Sequence, residues 1–261
     1  MSPALLRTLS HAALILALTL STATADTIAR ASYVINLGGT IVASAAFDFI
    51  EGGGNYSLGL QANVTGVASL VASGTIKANS AGMAGSGGLQ SQRFDLLTRS
   101  GGDNFTVKIT YGDGDVSSFV VNPPIVNNID RIPIERKQLN GVNDMLAAFI
   151  LKGSKLDRSL CNAREKVFTG TERFDLAFHY SRDDVATSKR TGYQGPVVLC
   201  SVKYTPISGH YTTSELTRSL AEEDRILLWY APLRDSGWFI PYRVLLTTSM
   251  GDLSMVLTEL E

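Results

Sequence analysis

Between Tyr33 and Val121, apolar side chains recur at every second position, and short polar or glycine-rich turns interrupt them. Tyr33, Ile35 and Leu37 share one face. Gly38-Gly39 turns the chain, and Ile41, Ala43, Ala45, Phe47 and Phe49 line one face of the return run. After "EGGGN", Tyr56, Leu58, Leu60 and Ala62 alternate with Ser57, Gly59, Gln61 and Asn63. "NFTVKITY" then sets Phe105, Val107, Ile109 and Tyr111 on one side before "GDGD" leads into "VSSFVV". A period of two is the side-chain repeat of a strand, and one apolar face with one polar face is the mark of a half-buried antiparallel sheet. Glycine pairs between such runs are hairpin turns. The pattern predicts a long antiparallel sheet built from sequential hairpins.

The second half continues in the same style. "AREKVF" and "TERFDLAFHYS" flank Thr169-Gly170, a tight turn, and "GPVVLCSVKYTP" supplies a third strand. "DRILLWYAP", "WFIPYRVLLTTS" and "DLSMVLTEL" form a C-terminal meander. "SAGMAGSGGLQS" at 80–91 is rich in glycine and serine and reads as a loop within one domain, because composition does not change across it.

One segment departs from the strand pattern. "NGVNDMLAAFILKG" contains six consecutive apolar residues, Leu146 to Leu151, with Asp144 as N-cap, Lys152 near the end and Gly153 as a stop. The reading is a helix at 144–152, apolar nearly all round and therefore buried. In an otherwise all-β chain its place is inside a curled sheet, with Leu146, Phe149 and Ile150 meeting Phe47, Phe49 and Ile109. The expected fold is all-β: one antiparallel sheet curled into an open or spiral barrel around one buried helix.

The N-terminus has the order of a cleavable export signal. Arg7 precedes an apolar run, Ala12 to Leu20, and Ala23-Thr24-Ala25 gives a small-x-small cleavage site. That run is too short to span a bilayer as a helix. The expectation is a signal peptide over residues 1–25, a single domain over 26–261, periplasmic localisation and no transmembrane segment in the mature chain. Without Arg7 the balance is 22 basic to 24 acidic residues, a net charge of −2. Such a balance offers no basic surface for nucleic acid.

Export to an oxidising compartment gives the two cysteines a role. Neither Cys161 nor Cys200 has a second cysteine or a histidine within four residues, and they do not form C-x-x-C. A structural disulfide is the reading. Strands 163–168 and 196–206, taken as next-but-one neighbours, lie about 9.6 Å apart, beyond disulfide reach. Either the sheet curls there, or Cys161 lies in the segment leaving the helix and folds onto the third strand. The second option is preferred.

Signals for chemistry are few. His179 falls on the polar face of its strand. His210 follows Gly209 and could serve as a general base beside Tyr211 or Ser208, but spacing pairs it with nothing, and no G-x-S-x-G elbow is present. Asp113 and Asp115 in "YGDGDV" lack the further oxygens of a calcium loop and read as a hairpin turn. No cofactor or metal site is expected.

The opening strand "YVINLG", then "DRIPI", "GVNDMLAAF", "VFTGTERFDL", "CSVKYTPISGH" and "WYAP…IPYRV" follow one another in an order that resembles a family of secreted proteobacterial proteins, the domain of unknown function numbered thirty-one-oh-eight. That family has proline where Met145 stands here, and an acid and a base where Thr169 and Thr171 stand. The resemblance implies a periplasmic envelope protein with no established activity, similar in fold to other curled-sheet periplasmic domains. Three functions follow in order of preference. The first is a non-catalytic envelope protein holding a hydrophobic or envelope-derived ligand in the curled sheet. The second is a structural or protein-interaction factor engaged through a sheet edge, and the third a hydrolase using His210.

Overall fold

The computed structural model describes residues 27–66, 73–126, 129–222, 225–248 and 251–261. The predicted signal peptide, residues 1–25, lies outside the described residues. The strands are β1 (Thr27–Leu37), β2 (Thr40–Gly52), β3 (Asn55–Val64), β4 (Gly74–Gly85), β5 (Gly88–Ser100), β6 (Asp103–Gly112), β7 (Asp115–Asn122), β8 (Leu151–Lys152), β9 (Arg164–Phe168), β10 (Arg173–Ala186), β11 (Gly195–Ser208), β12 (Ile226–Pro232), β13 (Trp238–Thr248) and β14 (Gly251–Leu260). One short helix, α1 (Glu215–Leu220), precedes β12.

Among the described residues these strands form one antiparallel sheet in the order β7-β6-β5-β4-β3-β2-β1-β14-β13-β12-β11-β10-β9, with β8 paired to β13. Two meanders of neighbouring strands therefore meet at β1 and β14, where Tyr33 faces Leu257 and Leu37 faces Leu253. The turns are tight: at Gly38-Gly39 both φ values are positive, +56° and +83°. Glycine adopts that geometry freely, and its twist matches the flanking strands. Asp113-Gly114 does the same between β6 and β7, with Asp113 at φ +53°, so "GDGD" is a hairpin turn as expected.

The sheet curls but does not close. Laid flat, β7 and β9 would stand about 58 Å apart, twelve strand spacings. Instead the rings of Phe119 on β7 and Phe168 on β9 meet edge-to-face at 5.1 Å between centroids. Gly170, in the β9–β10 turn, lies so near β6 that a Cβ there would fall 2.3 Å from the Val107 side chain. The concave core joins both halves, including Phe49, Phe94, Ile109, Phe168, Leu199, Trp238 and Ile240. A second core lies on the other face of β9–β13, built from Phe178, Val198, Cys200, Leu228, Tyr230 and Phe239 and covered by residues 148–161. Both faces of those strands are buried, which is why "PVVLC" and "ILLWYA" are continuously apolar while the first-half strands alternate.

Two expectations need correction. The "SAGMAGSGGLQS" stretch is not a loop but the β4–β5 hairpin, pairing Gly82 with Ser91 and Gly85 with Gly88. The helix at 144–152 is a single 3-10 turn, Ala147–Phe149, followed at once by β8. The segment is buried as expected; its N-cap position is Leu146 rather than Asp144, which caps the turn from two residues earlier by accepting the Leu146 and Ala147 N–H groups, and the segment had to serve two cores. Leu146, Ala147 and Ile150 enter the concave core, while Ala148 and Leu151 enter the other. An extended path divides side chains between two walls in fewer residues than a helix, and pairing with Trp238 and Phe239 satisfies its backbone. Phe149 packs, partly buried, against the second core, so it is not among the residues meeting Phe47.

Cys161 and Cys200 are bonded, with Cα atoms 5.5 Å apart. Cys161 sits in a 3-10 turn, Arg158–Asn162, ahead of β9. The preferred geometry therefore holds: the connection folds back onto β11.

Candidate functional site

The connection from β7 to β9 carries the most ordered polar chemistry. Val142 N–H donates to the Gly114 carbonyl at 3.2 Å, and Asn143 N–H donates to Lys166 O at 2.8 Å. The chain thus ties the β6–β7 turn to the outer side of β9. Asp144 follows and is fully buried. Its Oδ1 accepts the backbone N–H groups of Leu146 (2.8 Å) and Ala147 (3.0 Å), and its Oδ2 accepts the hydroxyls of Ser80 (2.5 Å) and Ser91 (2.7 Å). Tyr56 hydroxyl lies 2.9 Å from Ser80 Oγ. Gly82 permits this approach, because a Cβ there would stand 2.9 Å from the Tyr56 ring and 2.0 Å from Gln90 O.

Burial pushes the Asp144 carboxyl above its ordinary range, and the four hydrogen bonds hold it down. Burial and the nearby Asp144 charge together raise the Tyr111 hydroxyl, which is buried and without a hydrogen-bond partner among the described residues. With every lone-pair direction used and no exposed atom, Asp144 is built as a latch rather than as an acid–base group. Only its capping role was visible beforehand; Ser80 and Ser91 lay in the stretch read as a loop.

Beside this latch is a small pocket of about 190 Å³, lined by Gly88, Lys152, Ser159, Arg164 and Glu165 among others. Asn143 joins the two places. Its Nδ2 donates to Glu165 Oε2 at 3.1 Å and to Leu89 O at 3.0 Å, and its Oδ1 accepts Ser91 N–H at 3.0 Å. Burial raises the Glu165 carboxyl from 4.5 to about 7, with the Asn143 hydrogen bond opposing. In the sequence Glu165 was simply a polar position of "AREKVF", with no signal to set it apart.

A third place is a cleft of about 370 Å³ lined by Phe119, Val121, Pro124, Ile125, Arg131 and Ile134, closed at one side by Gly170. Phe119 and Val121 pair with Ile109 and Val107 across β6–β7 and share their concave face. Val120 faces outward and is 63 % exposed. β7 pairs only with β6, and no other backbone hydrogen bond reaches Val116–Val121 among the described residues.

The histidines do not converge on any of these places. His179 is exposed on β10 opposite Ser201, as its phase predicted. His210 gives its carbonyl to Ile132 N–H at 3.0 Å, and its buried Nδ1 has no hydrogen-bond partner among the described residues. Among the described residues no group of three or more His, Cys, Asp or Glu side chains could hold a metal ion. No helix there is long and apolar enough to cross a membrane.

Residues 32–258 match the family described as "Protein of unknown function (DUF3108)", and the chain belongs to it. No curated protein and no solved structure matches.

Proposed function

We propose that this family member is a non-catalytic periplasmic protein of the cell envelope, and that it takes an extended apolar segment of a partner protein along the free edge of β7. The observation that carries this reading is the unpaired side of Val116–Val121 beside the cleft containing Phe119 and Val121. A strand added to a sheet edge gains main-chain hydrogen bonds, and pockets for alternate side chains select its sequence. An open edge with an exposed valine is also a liability that proteins normally cover. The leader pattern before Asp26 and the disulfide favour an oxidising compartment. The unpartnered Nδ1 of His210 gives the hydrolase reading no base-and-orienter pair. The ligand-in-barrel reading loses ground because Leu146, Ala147 and Ile150 pack into the concave core.

Photo-cross-linking in the native compartment tests the edge. A probe at position 120 is expected to give one discrete protein adduct, lost on Val121→Lys. A probe at position 61, outward on mid-sheet β3, should give none. An adduct with a second copy of the chain replaces the hetero-partner. Equal adducts from both positions, or none from either, overturn the reading.

A further inference from the structure

Asn143 fastens the two halves of the sheet to each other. Its Nδ2 donates to Leu89 O on β5 at 3.0 Å and to Glu165 Oε2 on β9 at 3.1 Å. Its Oδ1 accepts Ser91 N–H at 3.0 Å and the Ser91 hydroxyl at 3.2 Å. Its backbone N–H donates to Lys166 O at 2.8 Å, and its carbonyl accepts Phe168 N–H at 2.9 Å. One residue of the crossing strap thus holds β5 of the first half against β9 of the second. Two residues upstream, Gly141 N–H donates to Asp115 Oδ1 at 2.8 Å and brings the start of β7 into the same fastening. β7 and β9 share no ladder among the described residues, and Phe119 and Phe168 meet through their rings.

The two carboxyls beside this strap are supplied very differently. Asp144 takes four donors. Glu165 is half-buried opposite Leu176 of β10, and its carboxyl accepts one hydrogen bond among the described residues, from the Asn143 amide. No cation serves it. Arg164 and Lys166 are its neighbours in β9 and leave the other face of that strand. Lys152 Nζ is held by Ser236 O at 3.0 Å and stands over the Trp238 ring. Glu165 makes no ion pair among the described residues. From β12 the titratable group acting across to it is Tyr230, whose hydroxyl burial keeps protonated. A carboxyl with one neutral donor is well served as the acid and poorly served as the anion.

We propose that Asn143 and Glu165 form a proton-governed fastener. With Glu165 protonated, the strap stays down on β5 and β9. When Glu165 ionises, its carboxylate turns to water, Asn143 loses that partner, and the strap lifts from β9 so that the seam between β7 and β9 parts. The device stands whether or not β7 takes a partner.

In the closed state the Glu165 carboxyl is raised to about 7, and once freed it returns to 4.5. The closed state is therefore fully favoured below pH 4.5 and loses ground as pH rises through 7. The lifted state should gain about fiftyfold on it between pH 5 and pH 7.5, and level off above.

Hydrogen exchange of the full protein tests the fastener, read by NMR at the amides of Asn143 and Phe168, which are both bonded across the contact between strap and β9. After correction for the intrinsic pH dependence of exchange, their protection should fall by that factor from pH 5 to pH 7.5. Mild urea should not speed their exchange, because a local opening exposes little new surface. Amides of the β2–β3 pair should stay better protected at every pH. Glu165→Gln should keep Asn143 and Phe168 protected at pH 7.5 as they are at pH 5 in the unaltered protein. If that variant does not fold, the pH and urea series on the unaltered protein decides alone. Protection that is flat or rises with pH, a loss that carries the urea dependence of global unfolding, or an equal loss in the Gln variant overturns the proposal.

Discussion

Ser91 Oγ lies 2.7 Å from Asp144 Oδ2, although 53 residues separate them in sequence. One belongs to the β4–β5 hairpin and the other to the connection that leaves the edge of the sheet. This bond and its partner from Ser80 fasten the crossing chain to the concave wall.

Removing the latch should loosen that crossing. Asp144→Ala deletes the cap of the 3-10 turn and leaves two buried hydroxyls without their acceptor. A lost cap costs about 1 kcal/mol and a buried unsatisfied group about 1–3 kcal/mol. Urea denaturation should show a loss of about 2–4 kcal/mol, whereas the double change Ser80→Ala with Ser91→Ala should cost less than Asp144→Ala, because it leaves the cap in place. Stability within about 0.5 kcal/mol of the unaltered protein would show that the network is not a fastening.

The stability profile with pH should carry the signature of Glu165. Its carboxyl holds a proton more tightly folded than unfolded, so the native state binds more protons between about pH 4.5 and pH 7. Stability from this group is fully present below pH 4.5 and lost as pH rises through 7. Glu165→Gln should therefore be more stable than the unaltered protein at pH 8, by up to about 3 kcal/mol, and the gap should vanish towards pH 4. Asp144, also raised, is common to both proteins and cancels in the comparison. A gap that is constant with pH refutes this assignment.

Both bonded cysteines are fully buried, Cys161 in the covering segment and Cys200 in β11. Cys200→Ser should lower stability by about 2–5 kcal/mol. Native protein should resist mild reductant until it unfolds, since no sulfur is exposed. Rapid appearance of two titratable thiols under native conditions would contradict the burial.

Substitution within the crossing segment should rank by the core each residue enters. Ile150 is 5 % exposed in the concave core, whereas Phe149 is only partly buried. Ile150→Ala should cost about 2–5 kcal/mol, and Phe149→Ala less despite its larger side chain. The reverse order in thermal melts would mean that the helix expected from the sequence forms after all.

Much of the sheet was legible because alternation is a direct record of one buried face, as Tyr56, Leu58, Leu60 and Ala62 illustrate. The pairing of Cys161 with Cys200 was legible from the export pattern and from the lack of any other partner for either cysteine, and strand spacing favoured its route through the connection. What could not be read were residues whose role depends on non-local partners. Ser80 and Ser91 look like loop residues until Asp144 arrives between them, and the six apolar residues from Leu146 look like a helix until two separate walls claim them. Glu165 gives no local sign that burial will raise its carboxyl.

The pairing of β1 with β14 has a kinetic consequence. Every other pair in the two meanders joins strands consecutive in sequence, the longest connection being the one from β11 to β12 that carries α1, so each meander can form largely by local zippering. β1 and β14 pair across the length of the chain, with Ser32 and Glu259 in register and 227 residues apart. Contacts of that separation are slow to form because loop closure must precede their reward. Two half-sheets with exposed apolar concave walls should thus accumulate before they join, and it is during that interval, rather than from the finished fold, that the chain would most need a chaperone.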